Sequence, residues 1–178
     1  AELMIDYGYK IQGSDIAVNS NIKRLKKKGA KIFLNHRKSN IRNISLAIYS
    51  SAIKSNNSEI IACKKLSIPI ISRAEMLAEL MRDKNGIAIA GSHGKTTTTS
   101  LVGTLLFNAK LDPTIINGGI INSFSRNNRL GKSKLIVVEA DESDGSFLKL
   151  PHLINIVTNI DIEHLDYYKT KKKLINLF

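Results

Sequence analysis

Short apolar runs rich in β-branched residues alternate along this chain with longer segments whose apolar positions recur every three or four residues. That alternation is the pattern of βαβ units feeding a mainly parallel sheet. In the first half it predicts strands over 9–12, 31–34, 46–50 and 68–71, with helices over 21–28, 58–66 and 73–81. The polar, turn-forming run Asp83-Lys84-Asn85-Gly86 interrupts the pattern and marks the expected boundary between a domain at 1–85 and a second at 86–178. The second half restarts with a strand over 86–90, then a helix over 97–109 and strands near 114–117, 135–140 and 154–158. The expected fold class is α/β, with two parallel-sheet domains, one Rossmann-like and one built on a phosphate-binding loop. Both are expected to be incomplete. Residues 1–4 read as the interior of a helix, and 171–178 stop within an amphipathic pattern that has no C-cap. A Rossmann-like first half would have its opening strand and glycine loop upstream of residue 1.

Composition narrows the function classes. At 178 residues, 43% apolar and 24% charged, the chain has the make-up of a globular protein able to bury a core. No apolar run approaches the roughly 20 residues that span a bilayer, so membrane insertion is not expected. The formal charge of +12, with lysine clusters at 23–28 and 169–173, invites a nucleic-acid reading. Against it, Lys, Asn and Ile are abundant throughout, the clusters fall on predicted helices with a solvated face, and Trp is absent. No nucleic-acid partner is expected. Cys63 stands alone, which excludes an internal disulfide and fits a reducing cytoplasm. Its place on the 58–66 helix is that of a small core residue.

Chemistry concentrates at Gly91-Ser92-His93-Gly94-Lys95-Thr96-Thr97-Thr98-Thr99, directly after the apolar run 87–90. A buried strand that ends in small residues and opens a helix presents backbone N–H groups and the positive end of a helix dipole to an anion. Gly91, Ser92, His93, Gly94, Lys95, Thr96 and Thr97 are the expected nucleotide-phosphate contacts. Lys95 would reach the β and γ phosphates, and the Thr96 hydroxyl would meet Mg²⁺. The spacing departs from GxxxxGK[ST], because Ile89 stands five before Gly94 and the nearest upstream glycine is Gly91. A glycine turn capping an ordinary helix is the bland alternative, but four consecutive threonines are poor helix formers.

Ligands of open α/β sheets bind at the carboxyl ends of the strands. There the 135–138 run delivers Glu139, a hard oxygen ligand and the first metal-site candidate, followed by the acidic stretch Ala140–Asp144. Asp141, Glu142 and Asp144 fit a solvated loop as well as they fit a site. The last run ends in Thr158-Asn159, with Glu163, His164 and Asp166 beyond it. His164 is a further metal candidate because it follows a third converging strand. His93 would shape the loop or touch phosphate, whereas His36 and His152 carry no independent signal.

Taken with the phosphate loop, VEADESDGSF at 138–147, VTNIDIEHLDYY at 157–168, IPIISRAEMLAELMR at 68–82, QGSD at 12–15 and SSAI at 50–53 resemble the Mur ligase family. The likeness covers essentially the whole chain. It implies a three-domain cytoplasmic enzyme, of which this chain holds most of the domain for the UDP-sugar and the front of the central ATPase domain. It implies ATP and Mg²⁺ as cofactors, and UDP-N-acetylmuramate and L-alanine as substrates, joined through an acyl phosphate in peptidoglycan synthesis. The ESDGSF continuation after Asp141 favours alanine addition over the related reaction that reattaches a recycled tripeptide. An inactive nucleotide-binding remnant is the other alternative. By the same resemblance Lys95, Glu139 and His164 carry catalysis: Lys95 on the ATP phosphates, Thr96 on one Mg²⁺, and Glu139 with His164 on a second near the muramate carboxylate. Ser14, Asp15, Ser50 and Ser51 would face the uridine. Glu163 stands where many family members carry aspartate, which leaves the His164 assignment intact.

Overall fold

Short strands pairing in parallel organise the chain into two compact units, Ala1–Met76 and Leu77–Phe178. The computed structural model describes residues 1–141 and 146–161, together with Thr170 and Ile175.

The first unit runs α1 (Glu2–Asp6), β1 (Gln12–Asp15), α2 (Ser20–Lys27), β2 (Lys31–Leu34), β3 (Ala47–Tyr49), α3 (Ser58–Lys65) and β4 (Ile70–Ser72), and holds the start of α4 (Arg73–Met81). β1 pairs in parallel with β2, and β3 with β4. Side-chain caps fix the helix starts. Asn19 accepts from Ile22 N at 3.0 Å, and Asn57 accepts from Glu59 N at 2.9 Å. Ser72 and Glu75 form a reciprocal capping box, Ser72 Oγ accepting from Glu75 N and Glu75 Oε2 from Ser72 N. Ion pairs Glu2–Arg24 and Asp6–Lys28 tie α1 to α2.

Two strands sit later than the apolar pattern places them. Tyr9 belongs to the turn that closes α1, its N–H on Met4 O, so the strand expected at 9–12 is instead β1 at Gln12–Asp15. Ile68 likewise closes α3, its N–H on Cys63 O, and pairing begins only after Pro69, whose carbonyl accepts from Ala47 N. In both cases a helix-closing hydrogen bond claims the residue before the sheet can.

The second unit comprises the last turn of α4, β5 (Asn85–Ala90), α5 (Lys95–Asn108), β6 (Thr114–Ile121), β7 (Arg126–Arg129), β8 (Leu135–Glu139) and β9 (Ile154–Val157). Its sheet has the order β7-β6-β8-β5-β9, parallel except for β7. The apolar runs of β5 and β8 lack polar alternation because both faces are covered. Ala88, Ala90, Ile136 and Val138 face Leu77, Ala78 and Met81 of α4 with Phe147 and Leu150. Ile87, Ile89 and Val137 face Val102 and Leu106 of α5, with Ile156.

β7 has no counterpart in the apolar pattern, since Arg-Asn-Asn-Arg carries no hydrophobic alternation. Arg129 holds it in place: its guanidinium lies 4.5 Å from the Phe107 ring centre, donates to Pro113 O at 2.9 Å and pairs with Asp112. β6 also runs beyond the expected 114–117, to Ile121, because its outer end pairs with β7 at Arg126. The helix expected at 97–109 starts earlier, at Lys95.

Two measurements test this packing. Met81 is fully enclosed, and Met81→Ala is expected to lower unfolding free energy by about 2–5 kcal/mol, read by denaturant titration with far-UV circular dichroism. The Arg129 side chain, and then the Lys132 N–H, hold the Asp112 carboxyl below its usual value. Such a group stabilises fully above its unfolded value of about 3.9 and loses that contribution as pH falls through the lower folded value. Asp112→Asn is therefore expected to melt below the parent at neutral pH, with the gap narrowing as pH falls below the ordinary carboxylate range.

Candidate active site

β5 is the strand between β8 and β9, and all three end on the same side because they are parallel. Beyond β5 the chain turns through Gly91 (φ +126°) and Gly94 (φ +78°) into α5. Position 91 admits no side chain, since a Cβ there would stand 2.8 Å from Asn159 O. Gly94 provides no side-chain cap to α5, and helix geometry leaves the N–H groups of the first turn without intrahelical acceptors. That turn carries Lys95, Thr96 and Thr97, an electropositive helix end of a kind that suits an anion. Lys95 Nζ lies over the loop, donating to Gly91 O at 2.6 Å and Ser92 O at 3.1 Å.

The end of β9 braces the loop from one side. Asn159 accepts Ser92 N on its carbonyl and His93 N on Oδ1, each at 3.0 Å, while its Nδ2 donates to His93 O. Thr158 Oγ1 donates to His93 O at 2.6 Å, and Asp161 N donates to Ser92 Oγ at 2.8 Å. The Ser92 and His93 amides are thus engaged with protein acceptors, and these two residues shape the loop. His93 Nε2 is 3.5 Å from the Asp161 carboxylate.

β8 braces the helix from the other side. Thr96 Oγ1 donates to Glu139 Oε1 at 3.0 Å, and Gly118 N donates to Glu139 Oε2 at 2.7 Å. A Cβ at Gly118 would lie 2.9 Å from that carboxylate oxygen, so glycine is what lets β6 approach. Lys95, Thr96 and Glu139 therefore share one cradle. His164, with Glu163, lies outside the described residues. For Mg²⁺ the donor chemistry fits: a threonine hydroxyl and a carboxylate in contact are hard oxygen ligands, and this ion keeps several waters rather than demanding a full protein cage.

In the first unit Ser14 and Asp15 end β1, while Ser50 and Ser51 follow β3, on a different strand pair. Ser14 Oγ donates to Glu59 Oε2 and stands 2.9 Å from His36 Nδ1. The same Glu59 oxygen lies 3.1 Å from His36 Nδ1, and Glu59 Oε1 accepts from Asn40 Nδ2 at 2.7 Å. Asp15 Oδ1 accepts from Ala17 N, and Ser50 O from Ile53 N. The sequence gives His36 no independent signal, and Glu59, Asn40 and Gly118 were not singled out there. Only the Gly118-Gly119 pair inside a strand offered a signal of close backbone approach.

Comparison with known proteins also divides the chain in two, at a later point than the two compact units do. Residues 1–85 match the Mur ligase family, catalytic domain, and residues 89–178 match the Mur ligase middle domain. The UDP-N-acetylmuramate–L-alanine ligase of Methylocella silvestris is 54% identical over 178 residues, 100% of this chain and 38% of that protein. Its counterpart in Rickettsia felis is 57% identical over 100% of this chain and 37% of its own length. The crystal structure of UDP-N-acetylmuramate-alanine ligase MurC from Thermotoga maritima superposes with a TM-score of 0.92 at 29% identity, covering 99% of this chain and 42% of that one. The chain thus spans well under half the length of the curated relatives it matches. With the phosphate loop, the carboxylate beside it and both domain matches in chain order, the chain belongs to the Mur ligase family.

Proposed function

We propose that this chain is part of an ATP-dependent ligase that joins L-alanine to UDP-N-acetylmuramate in peptidoglycan synthesis. The observation that carries the reading is the meeting of Lys95, the Thr96 hydroxyl and the Glu139 carboxylate at neighbouring strand ends. The alanine-specific choice draws its support from relatives of that name at 54% and 57% identity. The tripeptide-joining ligase of Neisseria meningitides, at 22% identity and a TM-score of 0.89, shares the fold and gives no argument for its substrate.

A carboxylate and an amine do not condense unaided at neutral pH. In the proposed reaction a muramate carboxylate oxygen attacks the γ phosphorus of ATP, the bond to the β-phosphate oxygen breaks, and ADP leaves. The alanine amine then attacks the acyl carbon, phosphate departs with its oxygen, and the nitrogen sheds a proton as the amide forms. Bringing a carboxylate to a triphosphate sets anion against anion, so catalysis is largely charge neutralisation and alignment. The first turn of α5 receives the phosphates, and Lys95 exchanges its loop carbonyls for phosphate oxygens. Thr96, and Glu139 with His164, would hold Mg²⁺, which cancels the remaining repulsion when bound. Ser92 and His93 keep the loop in shape through Asn159. We assign Ser14, Asp15, Ser50 and Ser51 to the uridine end of the substrate, in a substrate domain at 1–85 ahead of an ATP domain at 86–178. We place the reaction in the cytoplasm.

In the intact ligase, Lys95→Ala is expected to cut ADP release that requires both substrates by at least about a hundredfold; unchanged turnover removes the role given to Lys95. Offering L-alanine and the recycled tripeptide in parallel tests the substrate. Amide formation with L-alanine is expected, and formation with the tripeptide alone overturns the assignment.

A further inference from the structure

Glu139 is held by a closed circuit of contacts. Thr96 Oγ1 donates to one carboxylate oxygen at 3.0 Å, and Gly118 N donates to the other at 2.7 Å. Gly118 is bonded to Asn117, whose Nδ2 donates to Ser100 Oγ at 2.8 Å. Ser100 Oγ donates in turn to the Thr96 carbonyl at 2.9 Å, which returns to the starting residue. The circuit joins α5, β6 and β8. We propose that Asn117 and Ser100 are positioning residues, which set the spacing between the Thr96 hydroxyl and the Glu139 carboxylate that magnesium-nucleotide binding requires. The inference rests on the ligase reading above and extends it to two residues remote from any ligand.

Stability alone gives a poor account of Asn117. The residue is 5% exposed, and its Oδ1 has no hydrogen-bond partner among the described residues. Burying an unsatisfied amide oxygen carries a desolvation cost that an apolar residue of similar volume avoids. Ile115, two positions earlier on the face of β6 that meets α5, is such a residue. What Asn117 supplies is a donor. A serine hydroxyl returning to the carbonyl four residues back is ordinary in helices and free to turn. With Asn117 Nδ2 on one lone pair, the Ser100 proton is directed to Thr96 O, and the first turn of α5 is pinned to β6 at the residue beside Gly118. Any slide of the helix along the strand must then stretch the Asn117 contact or pull the Gly118 amide from Glu139. Magnesium tolerates little error in ligand placement, so supports of this kind bear on metal affinity.

The test compares the parent chain with Asn117→Leu, Ser100→Ala and the double variant. ATP affinity is measured by calorimetry with and without MgCl₂. Both single variants are expected to keep a cooperative thermal transition and to lose about tenfold of the affinity gained on adding Mg²⁺. The double variant is expected to lose little more, since both residues act in one circuit. In the chain without nucleotide, amide hydrogen exchange at Gly118 is expected to quicken about tenfold while Ile115 stays protected. An unchanged Gly118 rate, or equal weakening of ATP binding with and without Mg²⁺, overturns the positioning role and leaves the ligase reading standing. A parent chain whose ATP binding ignores Mg²⁺ overturns both. Ser100→Ala, a removal of one oxygen from a half-buried site, keeps the test decisive if Asn117→Leu does not fold.

Discussion

Parallel pairing of β5 with β8 on one side and β9 on the other is the constraint on which the candidate site depends. The registers Ile89 opposite Glu139 and Ala90 opposite Val157 bring the glycine loop level with a carboxylate on one flank and with Thr158 and Asn159 on the other. Side chains alternate between faces along a strand, so a one-residue slip of β8 would turn Glu139 away and bring its apolar neighbours out. The slip is opposed by the charge itself, because it would turn Glu139 toward the apolar cluster that Ile136 and Val138 fill on the other face. The apolar cluster on one face therefore helps to hold a charged group on the other.

The helix is placed by a second matching of surfaces. Along α5, Thr96, Ser100 and Gly103 meet Gly119, Asn117 and Ile115 of β6 in reverse order. A Cβ at Gly103 would stand 2.7 Å from the Ile115 side chain, and one at Gly119 would stand 2.8 Å from Thr96 Cγ2. Small residues alternate between the two elements, so that helix and strand close on each other without a gap. The depth at which the first turn of α5 meets the end of the sheet follows from this fit.

Much of this was legible in the residues, for local reasons. The Lys31–Leu34 strand, the continuous apolar runs of β5 and β8, the glycine loop and Glu139 each announce themselves within a few positions. What escaped depends on partners distant in sequence. β7 is a strand because Arg129 stacks on Phe107 and pairs with Asp112, although nothing in Arg-Asn-Asn-Arg alternates. His36 carried no signal alone and gains one only beside Ser14 and Glu59. Asn117 and Ser100 look like an unremarkable strand amide and helix serine until β6 and α5 are set together. The early placement of β1 and β4 has a nearer cause, since apolar residues that close a helix look the same as residues that open a strand.

The brace between Asn159 and the loop also bears on the order of events during synthesis. The His93 amide finds its acceptor on a residue 66 positions downstream, so a motif that reads as nine adjacent letters is assembled from distant chain. Closing so long a stretch costs entropy that must be met before the contact forms, which makes such pairings late and slow. On a ribosome, the segment beyond β9 that carries Asn159 must emerge from the exit tunnel before the loop can take its final form. A nascent chain halted shortly after α5 would display the nucleotide signature in its letters and lack it in its shape.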